Sequence, residues 1–121
     1  MTLNLDKLLP DFEDMFKLIE LIGSLTLKKL ACDTEIKLRE ADVIKKVSLD
    51  PTFWQGKDKP PAYNYIESTW KITGIEGELL PLRAELVQTI AELEKTKLKY
   101  EVLKLMVEVW RTASANERAQ P

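Results

Sequence analysis

The stretch from Glu78 to Thr112, ELLPLRAELVQTIAELEKTKLKYEVLKLMVEVWRT, constrains the fold more than any other part of this chain. Leu79, Leu82, Leu86, Leu93, Tyr100, Leu103, Val107 and Trp110 share one heptad seam, interrupted by Thr89 and Thr96. Apolar residues on that repeat make a helix that lies along other helices, because the repeat keeps one stripe turned toward a neighbour. Gly77 to Leu80 marks its start, and Pro81 fits the first turn, where a missing N–H costs nothing. The spacing predicts a helix over 78–112, with ASANERAQP at 113–121 fraying beyond it.

A second long pattern supplies the neighbour. Pro10 suits the first turn of a helix, and Asp11, Glu13 and Asp14 favour the positive end of its dipole. From 10 to 47 the chain contains no further proline, and Phe12, Phe16, Ile19, Gly23, Leu27, Leu30, Thr34, Leu38 and Ala41 form one stripe that continues near Ile44. Gly23 weakens a helix interior, so either a bend or a close-packed neighbour is expected there, preferably the neighbour. Between the patterns, SLDPTFWQGKDKPPAYN breaks regular helix at Pro51, Gly56, Pro60 and Pro61, which makes 48–63 a connection. Asn64 with Glu67 resembles a capping box opening a short helix over 64–73, closed by Gly74 and Gly77.

The expected fold is all-α. One domain over 1–121 forms a long antiparallel helical hairpin, coiled-coil-like, with a short helix in the connection. Surplus apolar residues sharpen the picture. Leu18, Leu21, Ile22 and Leu25 thicken the early part of the first helix, and Leu98, Val102, Leu105 and Val109 add a second face to the late part of the last. An antiparallel pair brings these to the same end, where they need burial that a two-helix seam does not supply. A homo-oligomer assembled there is expected; the other solution folds residues 1–9 and 64–73 back over those faces within one chain.

Composition narrows the function. The chain has 121 residues, 45% hydrophobic and 31% charged, the balance of a folded helical domain. Its formal charge of −2, from 18 basic and 20 acidic residues, gives no overall field toward nucleic acid or an anionic membrane. Histidine is absent, which removes the commonest general base and metal ligand. The single cysteine, Cys32, reads as a small buried residue in a reducing compartment. The N-terminus lacks a basic n-region, and no apolar run approaches the ~20 residues of a membrane span. A cytoplasmic location without membrane contact is expected.

The acidic residues alternate with basic ones in helix-surface order: Glu92 with Lys95, Lys97 with Glu101, Lys104 with Glu108, Glu108 with Arg111. Such pairs make a solvated face rather than a catalytic carboxylate pair. With no phosphate loop, metal-ligand spacing or nucleophile elbow, the chain is read as non-enzymatic, with no catalytic residue, metal or cofactor.

One feature points to a ligand. The connection and its flanks interleave Lys45, Lys46, Trp54, Lys57, Lys59, Tyr63, Tyr65 and Lys71, alongside Phe53 and Trp70. From Lys37 to Lys71 there are seven basic and five acidic residues, against two and five in residues 1–24. Aromatic faces that stack on bases, with lysines along the phosphates, hold single-stranded nucleic acid. The competing role for Trp54, Tyr65 and Trp70 is to seal the open end of the hairpin.

A charged helix, a basic and aromatic connection, and a final helix ending VLKLMVEVWR resemble the layout of the UvsY-type recombination mediators of tailed phages. The resemblance runs from about Lys28 to Arg111, with no motif shared residue for residue, and this chain departs from it in its acidic first helix. It implies a small helical protein that forms ring-like oligomers, binds single-stranded DNA and helps load a recombinase. The first expectation is therefore an oligomeric, single-strand-binding recombination or replication accessory factor. The alternative is a structural or adaptor coiled-coil protein that binds a partner protein's helix, with no nucleic acid.

Overall fold

Asp11 sets the start of the first helix. In the computed structural model of the chain, which describes residue 7 and residues 9–119, helix α1 spans Phe12–Leu49. The Asp11 carboxylate accepts the Glu13 N–H at 2.9 Å, and its carbonyl accepts the Met15 N–H at 3.1 Å. A donor that the helix start leaves open is thereby satisfied. Pro10 consequently lies ahead of the helix and not inside its first turn.

At the other end, Asp50 stops α1 and opens the connection. Its carboxylate accepts the Thr52 N–H at 3.1 Å and the Thr52 hydroxyl at 2.9 Å, capping a single 3₁₀ turn over Pro51–Phe53. Those bonds, the backbone one first, hold the Asp50 carboxyl below its ordinary pKa. Gln55 and Gly56 both take positive φ, 54° and 73°, and the Lys57 N–H donates to the Trp54 carbonyl at 3.1 Å, which turns the chain back.

Helix α2, Tyr63–Ile66, passes directly into a π turn over Glu67–Lys71. The expected capping box does not form. Ala62, extended at φ −59° and ψ 145°, is the N-cap and offers no side-chain bond. Pro60 and Pro61 hold the chain out of helical geometry until that point, so Asn64 falls inside the first turn and cannot cap it. Helix α3 spans Leu79–Ala119. Residues 113–119, expected to fray, continue it, because Ala113, Ala115, Glu117 and Arg118 suit a helix and no glycine or proline interrupts them.

The chain forms two compact units, each drawing on both long helices. One is Lys28–Thr89; the other joins the described parts of Met1–Leu27 and Ile90–Pro121. Within the first, Lys28 Nζ lies 3.9 Å from Glu85 Oε1, and the Cys32 thiol donates to the Leu82 carbonyl at 3.4 Å. Residue numbers rise on α1 as they fall on α3, so the two helices pack antiparallel, as a helical hairpin requires. Its core gathers Val43, Val47 and Ile66, with Ile44, Phe53, Trp70 and Ile75 packed against them.

On α3 the heptad seam faces inward as expected: Leu79 and Leu93 are buried, and most of the rest are half-buried. Thr89 and Thr96 do not interrupt it. Both are buried, and each hydroxyl donates to the carbonyl four residues back, Glu85 or Glu92, at 2.8 Å.

The stripe assigned to α1 faces the wrong way. Leu25, Cys32, Ile36, Val43 and Val47 are buried, while Phe12, Phe16, Ile19, Leu27, Leu30 and Leu38 are exposed. Helix α1 carries two apolar stripes, and periodicity alone does not say which one meets α3. Gly23 lies on the outward stripe inside an unbroken helix, and a Cβ there would meet nothing within 4 Å. Neither a bend nor close packing within the chain explains it. No helix among the described residues is long and apolar enough to cross a membrane.

Candidate interaction surfaces

The connection folds onto the Lys28–Thr89 core through its aromatics. The Trp70 ring meets Phe53 and Tyr65 edge-on, each at 5.7 Å between centroids, with interplanar angles of 81° and 84°. This geometry sets the positive ring edge against the negative face. The Trp54 indole N–H donates to the Val47 carbonyl at 3.2 Å, and the Gln55 amide donates to the Tyr65 hydroxyl. Trp54 and Trp70 are half-buried and pinned, which matches the sealing role.

Lys71 is held within the unit. Its Nζ lies 3.2 Å from Glu67 and 4.0 Å from Glu40, and the Glu67 hydrogen bond is the main cause that raises its pKa. Glu67 in turn is lowered, first by the Tyr63 hydroxyl and then by Lys71. Arg83 closes the network. Its Nη2 meets Glu40 at 2.8 Å and the Lys71 carbonyl at 2.9 Å, and its Nε donates to the Ile72 carbonyl at 2.6 Å. One guanidinium thus ties α1, the end of the π turn and α3 together, with the planar fork that Arg offers and Lys lacks.

Glu78 organises the entry to α3. Its carboxylate accepts the Ile75 N–H at 3.0 Å and the Glu76 N–H at 2.7 Å. These backbone bonds and that of its own N–H hold its pKa below the ordinary carboxylate range, Glu76 first among the causes. Gly74, at φ 83°, leaves the space into which this carboxylate fits; a Cβ there would collide with it. Arg83 and Glu78 were not among the expected site residues. Their signals were an arginine beside the seam and a carboxylate directly after Gly77.

Of the residues assigned to nucleic acid, Lys45, Lys46, Lys57, Lys59, Tyr63 and Tyr65 are exposed, and these four lysines make no salt bridge among the described residues. Tyr63 and Tyr65 each have a protein partner for their hydroxyl, Glu67 and Gln55. The helix-surface ion pairs differ from expectation: Lys97 pairs with Glu94 at 3.6 Å and Lys104 with Glu101 at 3.8 Å, each lysine reaching back three residues.

In the unit built from the described parts of Met1–Leu27 and Ile90–Pro121, Leu98, Val102, Leu105 and Val109 are exposed, Leu98 at 66%. Of the four α1 residues grouped with them, only Leu21 is exposed; Leu25 is buried, and Leu18 and Ile22 are half-buried. Leu18, Ile22 and Leu25 lie on the stripe that carries the buried residues of α1, with Leu21 beside it, and the outward face is Phe12, Phe16, Ile19 and Leu27; Leu18 still lines an open apolar groove. A groove of ≈ 720 Å³ runs between Leu18 and α3, lined by Ala91, Leu98, Val102 and Leu103 and edged by Glu94, Lys95 and Lys99.

Among the described residues no group of three or more His, Cys, Asp or Glu side chains is placed to hold a metal ion. No family model, curated protein or solved structure matches this chain.

Proposed function

We propose that this chain is a non-enzymatic helical assembly protein that associates with further copies of itself through the outward apolar faces of α1 and α3. The observation that carries this is the row Leu98, Val102, Leu105 and Val109, each more than half exposed at helical spacing on α3. The outward residues of α1 in the same unit, Phe12, Phe16 and Ile19, form a second exposed apolar row, and each row on its own is of the size, roughly a few hundred Å², at which an exposed apolar patch marks an interaction surface. Leaving such faces in water is unfavourable, and helix packing is the way to bury them. Light scattering across a hundredfold range of concentration tests this: mass should rise with concentration, and a constant monomer mass rejects it. A partner protein's helix could use the same faces, and is the answer if the chain alone stays monomeric but binds such a helix.

The exposed lysines favour a second reading, single-stranded nucleic acid at the connection. Lys45, Lys46, Lys57 and Lys59 would follow phosphates, and Tyr63 and Tyr65, 56% and 39% exposed, would stack on bases. Trp54 and Lys71, both half-buried, drop out of that platform, whereas Tyr63 and Tyr65 stay exposed although their hydroxyls are bonded within the unit. A UvsY-type role would join the two readings. Titration of a labelled oligonucleotide at low salt tests it; no binding there rejects it.

A further inference from the structure

The apolar surface left open in the described parts of Met1–Leu27 and Ile90–Pro121 has two unlike shapes. On α1 it is a ridge, with Phe12 and Phe16 one turn apart and 51% and 64% exposed. Beside α3 it is the groove of ≈ 720 Å³, lined by Leu18, Leu98 and Val102 and by Ala91, which contributes only a methyl group. Their charges are opposite as well. Residues 11–20 carry Asp11, Glu13, Asp14 and Glu20 against Lys17 alone, whereas Lys95 and Lys99 outnumber Glu94 on the groove's edge. Among the described residues Lys95 and Lys99 make no salt bridge, and neither does Glu20, one turn beyond Phe16 on the side of the ridge.

We infer that the Phe12–Phe16 ridge of one copy seats in the Leu18–Ala91–Leu98–Val102 groove of another, with the acidic flank of the ridge facing Lys95 and Lys99. This rests on the self-association proposed above and specifies its contact. Large aromatics fill an apolar groove, and the opposite charges at its edge select this pairing over ridge on ridge, which would set like charges together.

Complementation tests it. One full-length variant carries Phe12→Ala with Phe16→Ala; the other carries Val102→Glu, which places an acid in the groove. Each alone should associate at least about tenfold more weakly than the parent chain, and their mixture should associate more tightly than either, since one keeps its groove and the other its ridge. All three positions are exposed, and circular dichroism checks that the helices persist. The pair Glu20→Lys and Lys99→Glu gives an independent readout that removes no apolar side chain, with each variant weakened and the mixture restored. If the parent associates but neither mixture exceeds its separate components, the ridge-in-groove contact is overturned while self-association stands. A parent that stays monomeric overturns both.

Discussion

Leu93 and Thr96 lie one turn apart on α3 and are both buried, yet they respond differently to substitution. Leu93→Ala leaves a cavity in the seam and should cost about 3 kcal/mol in denaturant unfolding. Thr96→Val exchanges a hydroxyl bound to the Glu92 carbonyl for a methyl of similar shape. The methyl's burial of about 0.8 kcal/mol roughly offsets the lost hydrogen bond, so stability should stay within about 0.5 kcal/mol. Gly23 has open space around its Cα, so Gly23→Ala should stabilise the chain by about 1 kcal/mol and raise its melting temperature. Residue type was a sound guide to burial at Leu79, Leu93 and Cys32. It misled at the two threonines, because a hydroxyl bonded to its own helix's carbonyl enters a core at little cost, and nothing in the heptad pattern announces that bond.

The elements meet through a few polar groups that the hydrophobic pattern does not reveal. Arg83→Ala would remove the group joining Glu40, the Lys71 and Ile72 carbonyls and α3, leaving the half-buried Glu40, among the described residues, with only Lys71, 4.0 Å away. A loss of about 2 kcal/mol is expected, with Arg83→Lys recovering only part of it. Glu78 gives this junction a pH signature. Its folded pKa lies below the ordinary value, so its contribution is present at neutral pH and is lost as pH falls through the folded pKa. The melting temperatures of the parent and Glu78→Gln should therefore differ at about pH 7 and converge in acid, once the pH has fallen below the ordinary carboxylate range and through the lowered folded pKa. The existence of both long helices and of the short one was legible from apolar spacing, proline and glycine. Their ends were less so, because Asp11, Ala62 and the open run 113–119 settle them through local backbone bonds and not through composition.

For the whole molecule, the antiparallel hairpin followed from two long apolar patterns and the connection between them, whereas the identity of the face α1 turns toward α3 did not. Two stripes of comparable strength run along that helix, and only the contact with α3 chooses between them. The choice matters for function, since it sends Phe12 and Phe16 outward and draws Leu18, Ile22 and Leu25 in. The aromatic connection likewise reads as a nucleic-acid platform in sequence, but its tryptophans are held within the Lys28–Thr89 unit, so the lysines and tyrosines around them carry what remains of that reading. Packing of the outward faces of α1 and α3 against further copies of the chain would set the mass of the unmodified protein in sedimentation equilibrium. It should lie well above the 13.9 kDa of a single chain and fall toward that value on dilution; a mass of 13.9 kDa at every concentration rules the packing out.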